Sequence, residues 1–277
     1  MVTGLKAVAR WVLGALGLEV RRRSELPPEA PDRRSMHTVL AHAASLGLAP
    51  ATVVDVGAAE GTFTRTCRQV FPQATYLLVE PLAEFAAALG ALQRSAPGMR
   101  VRHAAAAVRS GEATLHVHAD LYGSSLLLER EGGEVNGTPR TVPAVTVDEI
   151  VAAERAAPPF LLKLDVQGAE LDVLGGAPRT LAGADLVIVE VLLYQAFEGG
   201  PQLADVVAFM RSNGFAAYDL CGFLYRPLDG ALAAMDVAFV KENGALRASP
   251  IFATAAQREE MNRRFAAAHQ AREASRT

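Results

Sequence analysis

At 277 residues, 51% of them hydrophobic, and with a net charge of -3, the chain suits one large α/β core with additions. That charge carries no nucleic-acid footprint, which is normally basic. Two cysteines, Cys67 and Cys221, are too few for a disulfide framework; they read as small core residues of a cytoplasmic protein.

Leu5 to Val20 places Lys6 and Arg10 beside an apolar run through Trp11, Leu13, Leu16 and Leu18. It reads as an amphipathic helix, too short for a transmembrane segment and followed by no small-residue cleavage site. Packing on the domain or on a second subunit, as a homodimer, is the expected use of that helix. Arg21-Arg22-Arg23 offers peripheral contact with an anionic membrane surface as the alternative. Ser24 to Ser35, with Pro27, Pro28 and Pro31, reads as a linker. The expected organisation is therefore a helix and linker over 1–34, a main domain over 35–252, and a charged helical or disordered tail over 253–277.

Within the main domain the spacing predicts a helix over Met36 to Leu48 and a buried strand over Thr52 to Asp55, then a helix from Thr62 to Val70. A second strand runs from Ala74 to Val79, a helix from Ala83 to Arg94, and a third strand from Met99 to Val108. The segment from Glu112 to Val147 breaks the alternation. Its ends alternate at period two and its middle is polar and glycine-bearing, so it reads as a β insertion suited to holding substrate. A short helix over Asp148 to Arg155, a strand over Phe160 to Val166 and a helix from Ala169 to Leu181 follow. After them come a strand over Leu186 to Leu192, a helix over Pro201 to Ser212, and strands over Ala217 to Leu220 and Asp236 to Lys241 as an antiparallel hairpin. Alternating helices and near-continuous apolar strands imply a mostly parallel sheet covered on both faces. Ligands of such sheets bind at the carboxyl ends of the strands.

Acidic residues fall at four such ends: Asp55, Glu80, Asp165 and Glu190. The first strand leads into Asp55-Val-Gly57-Ala58-Ala-Glu60-Gly61, a glycine turn in which a cofactor can approach the backbone. Its D-x-G-x-x-x-G spacing is not the G-x-G-x-x-G of dinucleotide enzymes. Glu80, followed by Pro81, lies 23 residues after Gly57, where a carboxylate can accept both hydroxyls of an adenosine ribose. Asp55 and the backbone of Gly57, Ala58, Glu60 and Gly61 are placed for the cofactor's other end, and a carboxylate there suits an ammonium group better than a pyrophosphate. The combination points to S-adenosylmethionine.

Lys163-Leu-Asp165-Val-Gln-Gly-Ala-Glu170 is the second informative stretch. Period two sends Lys163 and Asp165 to one face of an apolar strand, where a charge must be paired or functional. Asp165 is the candidate base or hydroxyl-orienting group. Glu190 on the next strand completes with it a pair of hard oxygen ligands for Mg²⁺. Glu170 starts a helix, where either the helix dipole or a substrate contact explains it. His116 and His118 share one face of the insertion strand without an evident third zinc ligand; His116 is a further candidate base if the loop folds over the site. Tyr122, Ser124 and Ser125 are candidate substrate contacts.

At Val54-Asp-Val-Gly-Ala58 with Gly61, Glu80-Pro81, Ser124-Ser125-Leu126 and above all Leu162-Lys-Leu-Asp-Val-Gln-Gly-Ala-Glu170, the sequence resembles the FkbM family of S-adenosylmethionine-dependent methyltransferases. The family usually has Glu where this chain has Gln167. The resemblance, from about Val53 to Val240, implies a class I methyltransferase Rossmann-like fold, seven-stranded with an antiparallel last strand. It also implies O-methylation of a sugar or natural-product small molecule bearing a hydroxyl. Two other readings stay open: an NAD(P)-dependent oxidoreductase, opposed by the glycine spacing and the lack of a Tyr-x-x-x-Lys, and a non-catalytic binding protein on the same fold.

Overall fold

A computed structural model describes residues 34–133 and 135–274 of the chain. The amphipathic stretch and nearly all of the linker expected over 1–34 lie outside the described residues. Among the described residues no helix is long and apolar enough to cross a membrane.

Seven strands form the main sheet: β1 (Thr52–Val56), β2 (Thr75–Val79), β3 (Met99–Arg102), β7 (Phe160–Leu164), β8 (Ala184–Leu192), β9 (Phe215–Tyr225) and β10 (Leu232–Lys241), in the order β3-β2-β1-β7-β8-β10-β9. The strands from β3 to β8 are parallel, and β10 enters antiparallel between β8 and β9. This is the class I methyltransferase arrangement, with the last strand reversed.

Strand periodicity divides the core in two. Val54, Val56, Leu77, Val79, Leu162, Leu164, Val187 and Val189 face one cluster. It is covered by α4 (Val147–Ala153), α5 (Glu170–Gly175), α6 (Pro178–Ala182) and α7 (Leu203–Ser212). Val53, Tyr76, Leu78, Leu161, Leu186 and Ile188 face the other cluster. Against it pack α1 (Met36–Ser45), α2 (Thr62–Val70) and α3 (Ala86–Ser95). Cys67 and Cys221 are free and buried on this second side, and burial pushes each thiol up to about 12.

The insertion forms its own three-stranded sheet, with β6 (Thr138–Val145) between β4 (Ala105–Ala106) and β5 (Gly111–Val117). The strand expected over Met99 to Val108 therefore splits between two sheets. The helix expected from Ala169 to Leu181 also splits, into α5 and α6: α5 is capped at Gly176, where a Cβ would come within 2.4 Å of the Ala107 carbonyl oxygen, and Pro178 starts a new helix at its first turn. The tail carries α8 (Ala255–Ala274).

Candidate active site

The carboxyl ends of β3, β2, β1, β7 and β8 line up along one edge of the sheet and enclose a cavity of about 260 Å³. Ala105 and Ala106 follow β3; Glu80, Pro81, Leu82 and Phe85 follow β2; Gly57 and Ala59 follow β1; Asp165, Val166 and Gln167 follow β7; and Glu190 ends β8. Leu115, Leu121, Tyr122, Ser124 and Leu126 reach in from the insertion. At roughly 5 Å per strand, the cleft runs about 15–20 Å from an apolar end to a carboxylate end.

Gly57 sets the middle of the cleft. Its φ is +75°, and a Cβ would lie 1.8 Å from the Asp165 carbonyl oxygen, so the turn after β1 and the end of β7 close on one another only through glycine. The Glu80 carboxylate is buried and braces the same turn. It accepts the Ala59 N–H at 2.9 Å on Oε2 and the Leu82 N–H at 2.8 Å on Oε1. Each oxygen keeps a second lone pair for a ligand hydroxyl. Burial holds the Glu80 carboxyl above its ordinary range, and the two N–H bonds pull against that.

At the other end the sheet register assembles a charged row. Asp55 pairs in register with Lys163, and Glu190 with Asp236 across the antiparallel β8–β10 ladder. All lie on the face that carries Val53, Leu161 and Ile188. The buried Lys163 ammonium donates to Asp165 Oδ2 at 3.1 Å and lies 3.6 Å from Asp236 Oδ1. Burial opposes its charge, but Asp165, Asp236, Glu190 and Asp55 overcome that and hold it above the usual lysine value. Burial likewise pushes Asp165 upward, yet Lys163 and the bonds from Glu190 and Gln167 hold it below the ordinary range. Glu190 is driven well above its range by burial and by the Asp165 charge. The row thus keeps an ionised Asp165 against Lys163 and favours a proton on Glu190.

Gln167 closes the row. Its amide nitrogen donates to Asp165 Oδ1 at 2.8 Å and to Glu190 Oε2 at 2.9 Å. Its backbone sits in the left-handed region at φ +53°, a strained conformation for a residue with a side chain. Gly168 beside it, at φ +96°, leaves the space where a Cβ would strike the Phe197 ring at 2.6 Å. Glu170 Oε1 accepts the N–H groups of Val166 and Gly168 at 3.1 Å each and so holds the turn from behind.

Of the residues singled out from the sequence, Gly57, Glu80, Pro81, Tyr122, Ser124, Asp165 and Glu190 line the cleft. The others are not among its lining. Asp55 turns to Thr64 on α2, Ala58 is buried in the core, and Gly61 begins α2 in the left-handed conformation. The Glu60 side chain accepts from Thr62. Lys163 lies beneath Asp165, Glu170 behind the turn, and Ser125 donates to the Gln167 carbonyl. His116, adjacent to the cleft-lining Leu115, points to the opposite side of β5 with His118.

Asp236, unassigned in the sequence, belongs to the charged row; its signal was a carboxylate at a core-facing position of an apolar strand. Gln167, Phe85 and the small Ala105-Ala106 wall were also missed as lining. The Mg²⁺ expected between Asp165 and Glu190 finds no support, since the Gln167 amide already bridges that pair. Among the described residues no group of three or more His, Cys, Asp or Glu is arranged to hold a metal ion.

Comparison with known proteins adds an independent line. Among solved structures the chain is similar to magnesium protoporphyrin IX methyltransferase from Synechocystis PCC 6803 with bound SAM, at 12% identity and a TM-score of 0.41 over 85% of this chain and 96% of that one. It is also similar to precorrin-6y C5,15-methyltransferase from Geobacter metallireducens GS-15, at 8% identity and a TM-score of 0.40 over 79% and 95%. A third is 1,6-didemethyltoxoflavin-N1-methyltransferase from Burkholderia thailandensis with bound 1,6-didemethyltoxoflavin and S-adenosylhomocysteine, at 13% identity and a TM-score of 0.40 over 76% and 79%. Likeness this distant leaves the substrate open. No curated protein sequence matches the chain. The family model of the methyltransferase FkbM domain matches residues 55–217. Every residue lining the cleft falls inside that segment, which is more than half of the chain, and the protein belongs to the FkbM family of S-adenosylmethionine-dependent methyltransferases.

Proposed function

We propose that this methyltransferase acts on a hydroxyl oxygen of a small acceptor, a sugar or a natural-product scaffold. The observation that carries the reading is the Asp165–Gln167–Glu190 row. Among the described residues lining the cleft near β7 and β8, the groups able to take a proton are these two carboxylates; no thiol or imidazole lines that end, and the Lys163 ammonium lies beneath Asp165, outside the lining. Carboxylates that accept are groups that orient hydroxyls, and the Gln167 amide, with its N–H groups given to Asp165 and Glu190, holds the two in place.

The cleft suits S-adenosylmethionine. Leu82, Phe85, Ala105 and Ala106 offer an apolar slot for a base, the free lone pairs of Glu80 face a ribose, and Gly57 and Ala59 present backbone where a larger side chain would intrude. When bound, that cofactor supplies a methyl group already activated on a sulfonium. The chain's own work is alignment and proton removal. Alignment of an acceptor hydroxyl under Tyr122, Ser124 and Leu126 supplies much of the rate. Asp165, ionised and steadied by Lys163 and Gln167, takes the hydroxyl proton as the new O–C bond forms. A depressed pKa makes it a weak base, but an oxygen becomes strongly acidic as it is alkylated, so a weak base at hydrogen-bond distance suffices.

Titration calorimetry with S-adenosylmethionine, S-adenosylhomocysteine and NAD(P)H, on the native chain and on Glu80→Ala, tests the cofactor. A radiolabelled-methyl screen over hydroxylated small molecules, with an RNA fragment as comparator, tests the acceptor. Methylation of oxygen in a small molecule is the expected result; labelling of nitrogen, or of the RNA alone, overturns the reading.

A further inference from the structure

The segment from His118 to Arg130, which carries Tyr122, Ser124 and Leu126 into the cleft, also grips the turn that holds Gln167. One grip is Ser125. Its backbone is fastened to β5, with the His116 N–H donating to the Ser125 carbonyl at 2.8 Å and the Ser125 N–H donating back at 3.2 Å. Its buried hydroxyl then reaches across to donate to the Gln167 carbonyl at 2.6 Å, and it accepts the Leu127 N–H at 2.9 Å. The second grip is indirect. The Arg130 N–H donates to the Ala196 carbonyl and the Glu198 N–H to the Leu128 carbonyl, each at 2.8 Å. Phe197, between those two residues, packs its ring where Gly168 lacks a Cβ.

We propose that Ser125 is a positioning residue: its hydroxyl ties the acceptor-side segment to the left-handed turn that sets the Gln167 amide between Asp165 and Glu190. This deepens the proposed function and rests on it. The turn needs such a tie. Glu170 holds only its N–H groups, and an unanchored non-glycine residue leaves the left-handed region readily. With the Gln167 carbonyl fixed, the side chain has one direction in which to leave the backbone, toward the two carboxylates. This hydrogen bond therefore links the seat of an acceptor under Tyr122 and Leu126 directly to the groups that handle its proton.

The test is hydrogen–deuterium exchange on the full chain, followed in peptides covering 118–130 and 165–170, for the native protein, Ser125→Ala and Ser125→Thr. It needs neither an acceptor nor turnover, so it stands apart from the fate of the methyl-acceptor reading. The expected result is exchange in Ser125→Ala faster by roughly tenfold in both peptides, with Ser125→Thr close to native. Faster exchange confined to 118–130 overturns the proposal. So does equal acceleration in both variants, which would assign the effect to packing and not to the hydroxyl. If Ser125→Ala exchanges globally, Ser125→Cys, a near-isostere with a poorer donor, replaces it under the same two criteria. With an acceptor in hand, Ser125→Ala loses about tenfold or more in kcat while S-adenosylhomocysteine affinity is kept.

Discussion

The Thr64 hydroxyl on α2 donates to Asp55 Oδ2 on β1 at 2.6 Å, deep in the core and away from the cleft. Burial pushes the Asp55 carboxyl up to about 6 from 3.8, with the Thr64 bond and the Lys163 charge pulling it back. The native state thus binds this proton more tightly than the unfolded chain. Its stabilising effect is full below about 3.8 and is lost as pH rises through about 6. Asp55→Asn keeps an oxygen for Thr64 and removes the charge. The variant is expected to be more stable than native at pH 8, on the order of 1–3 kcal/mol, with the gap narrowed to about a third of that at pH 4.5. Urea unfolding at the two pH values decides it, and a larger loss at pH 8 than at pH 4.5 would refute the assignment.

Lys163→Met leaves Asp165, Glu190 and Asp236 clustered without their ammonium. Destabilisation of about 3–5 kcal/mol is expected from breaking a buried pair on one side. Without the cation Glu190 and Asp236 rise further above their unfolded values and Asp165 loses what holds it below its own, so the loss deepens as pH rises and eases toward pH 5. Adding Asp236→Asn removes one unpaired charge and recovers part of it. Thermal melts of the single and double variants check both statements; a double variant no better than the single one counts against the network.

Glu80→Ala removes the acceptor proposed for ribose and also releases the Ala59 and Leu82 N–H groups. Calorimetry is expected to show S-adenosylhomocysteine binding weakened by about 10- to 100-fold. Glu80→Gln keeps an acceptor for only one of the two N–H groups and should fall between. Binding unchanged in both variants would place the cofactor elsewhere.

Asp165→Asn separates binding from chemistry. The asparagine retains size and a partner for Lys163 but takes no proton. Turnover is expected to drop by roughly 10²- to 10⁴-fold with cofactor affinity little altered. Steady-state kinetics on an accepted substrate, with calorimetry beside them, read the two effects apart. A variant with near-native turnover would move the base to Glu190.

Gly57→Ala is expected to fail differently. A Cβ 1.8 Å from the Asp165 carbonyl must part β1 from β7 or abandon the φ of +75°. The expected cost is about 2–4 kcal/mol together with loss of cofactor binding. A crystal structure of a stable variant with unchanged turns would contradict this.

The fold was legible because its strands obey their own physics. Phe160–Leu164 and Thr52–Val56 are buried along their whole length and read as apolar runs, and Thr62–Val70 appeared with its bounds intact. What escaped was set by tertiary contact. Met99 to Val108 reads as one strand in sequence, yet its end leaves for a second sheet; the continuous helix expected to Leu181 is broken where Gly176 meets the Ala107 carbonyl. At the site, residue type pointed to Asp165 and Glu190, but direction was invisible. Asp55 and Glu80 both end strands of the same sheet, and only register shows that one faces α2 while the other faces the cleft. Ser125 looked like a substrate contact because hydroxyls in loops so often are; its neighbour Ser124 lines the cleft while Ser125 donates to the Gln167 carbonyl.

The placing of β10 between β8 and β9 imposes an order of events on synthesis. Everything lining the cleft has been translated before β10 emerges, yet β8 then has no neighbour on its outer side, because β9 pairs with β10 and not with it. Until that last strand slides into the gap, Lys163 lacks Asp236 and the edge of β8 stands open for pairing with another chain. The family-matched segment ends at residue 217, before β10 begins. A fragment cut to that homology boundary would hold the cleft's residues and lack the strand that seals the sheet behind them, and aggregation is its expected fate.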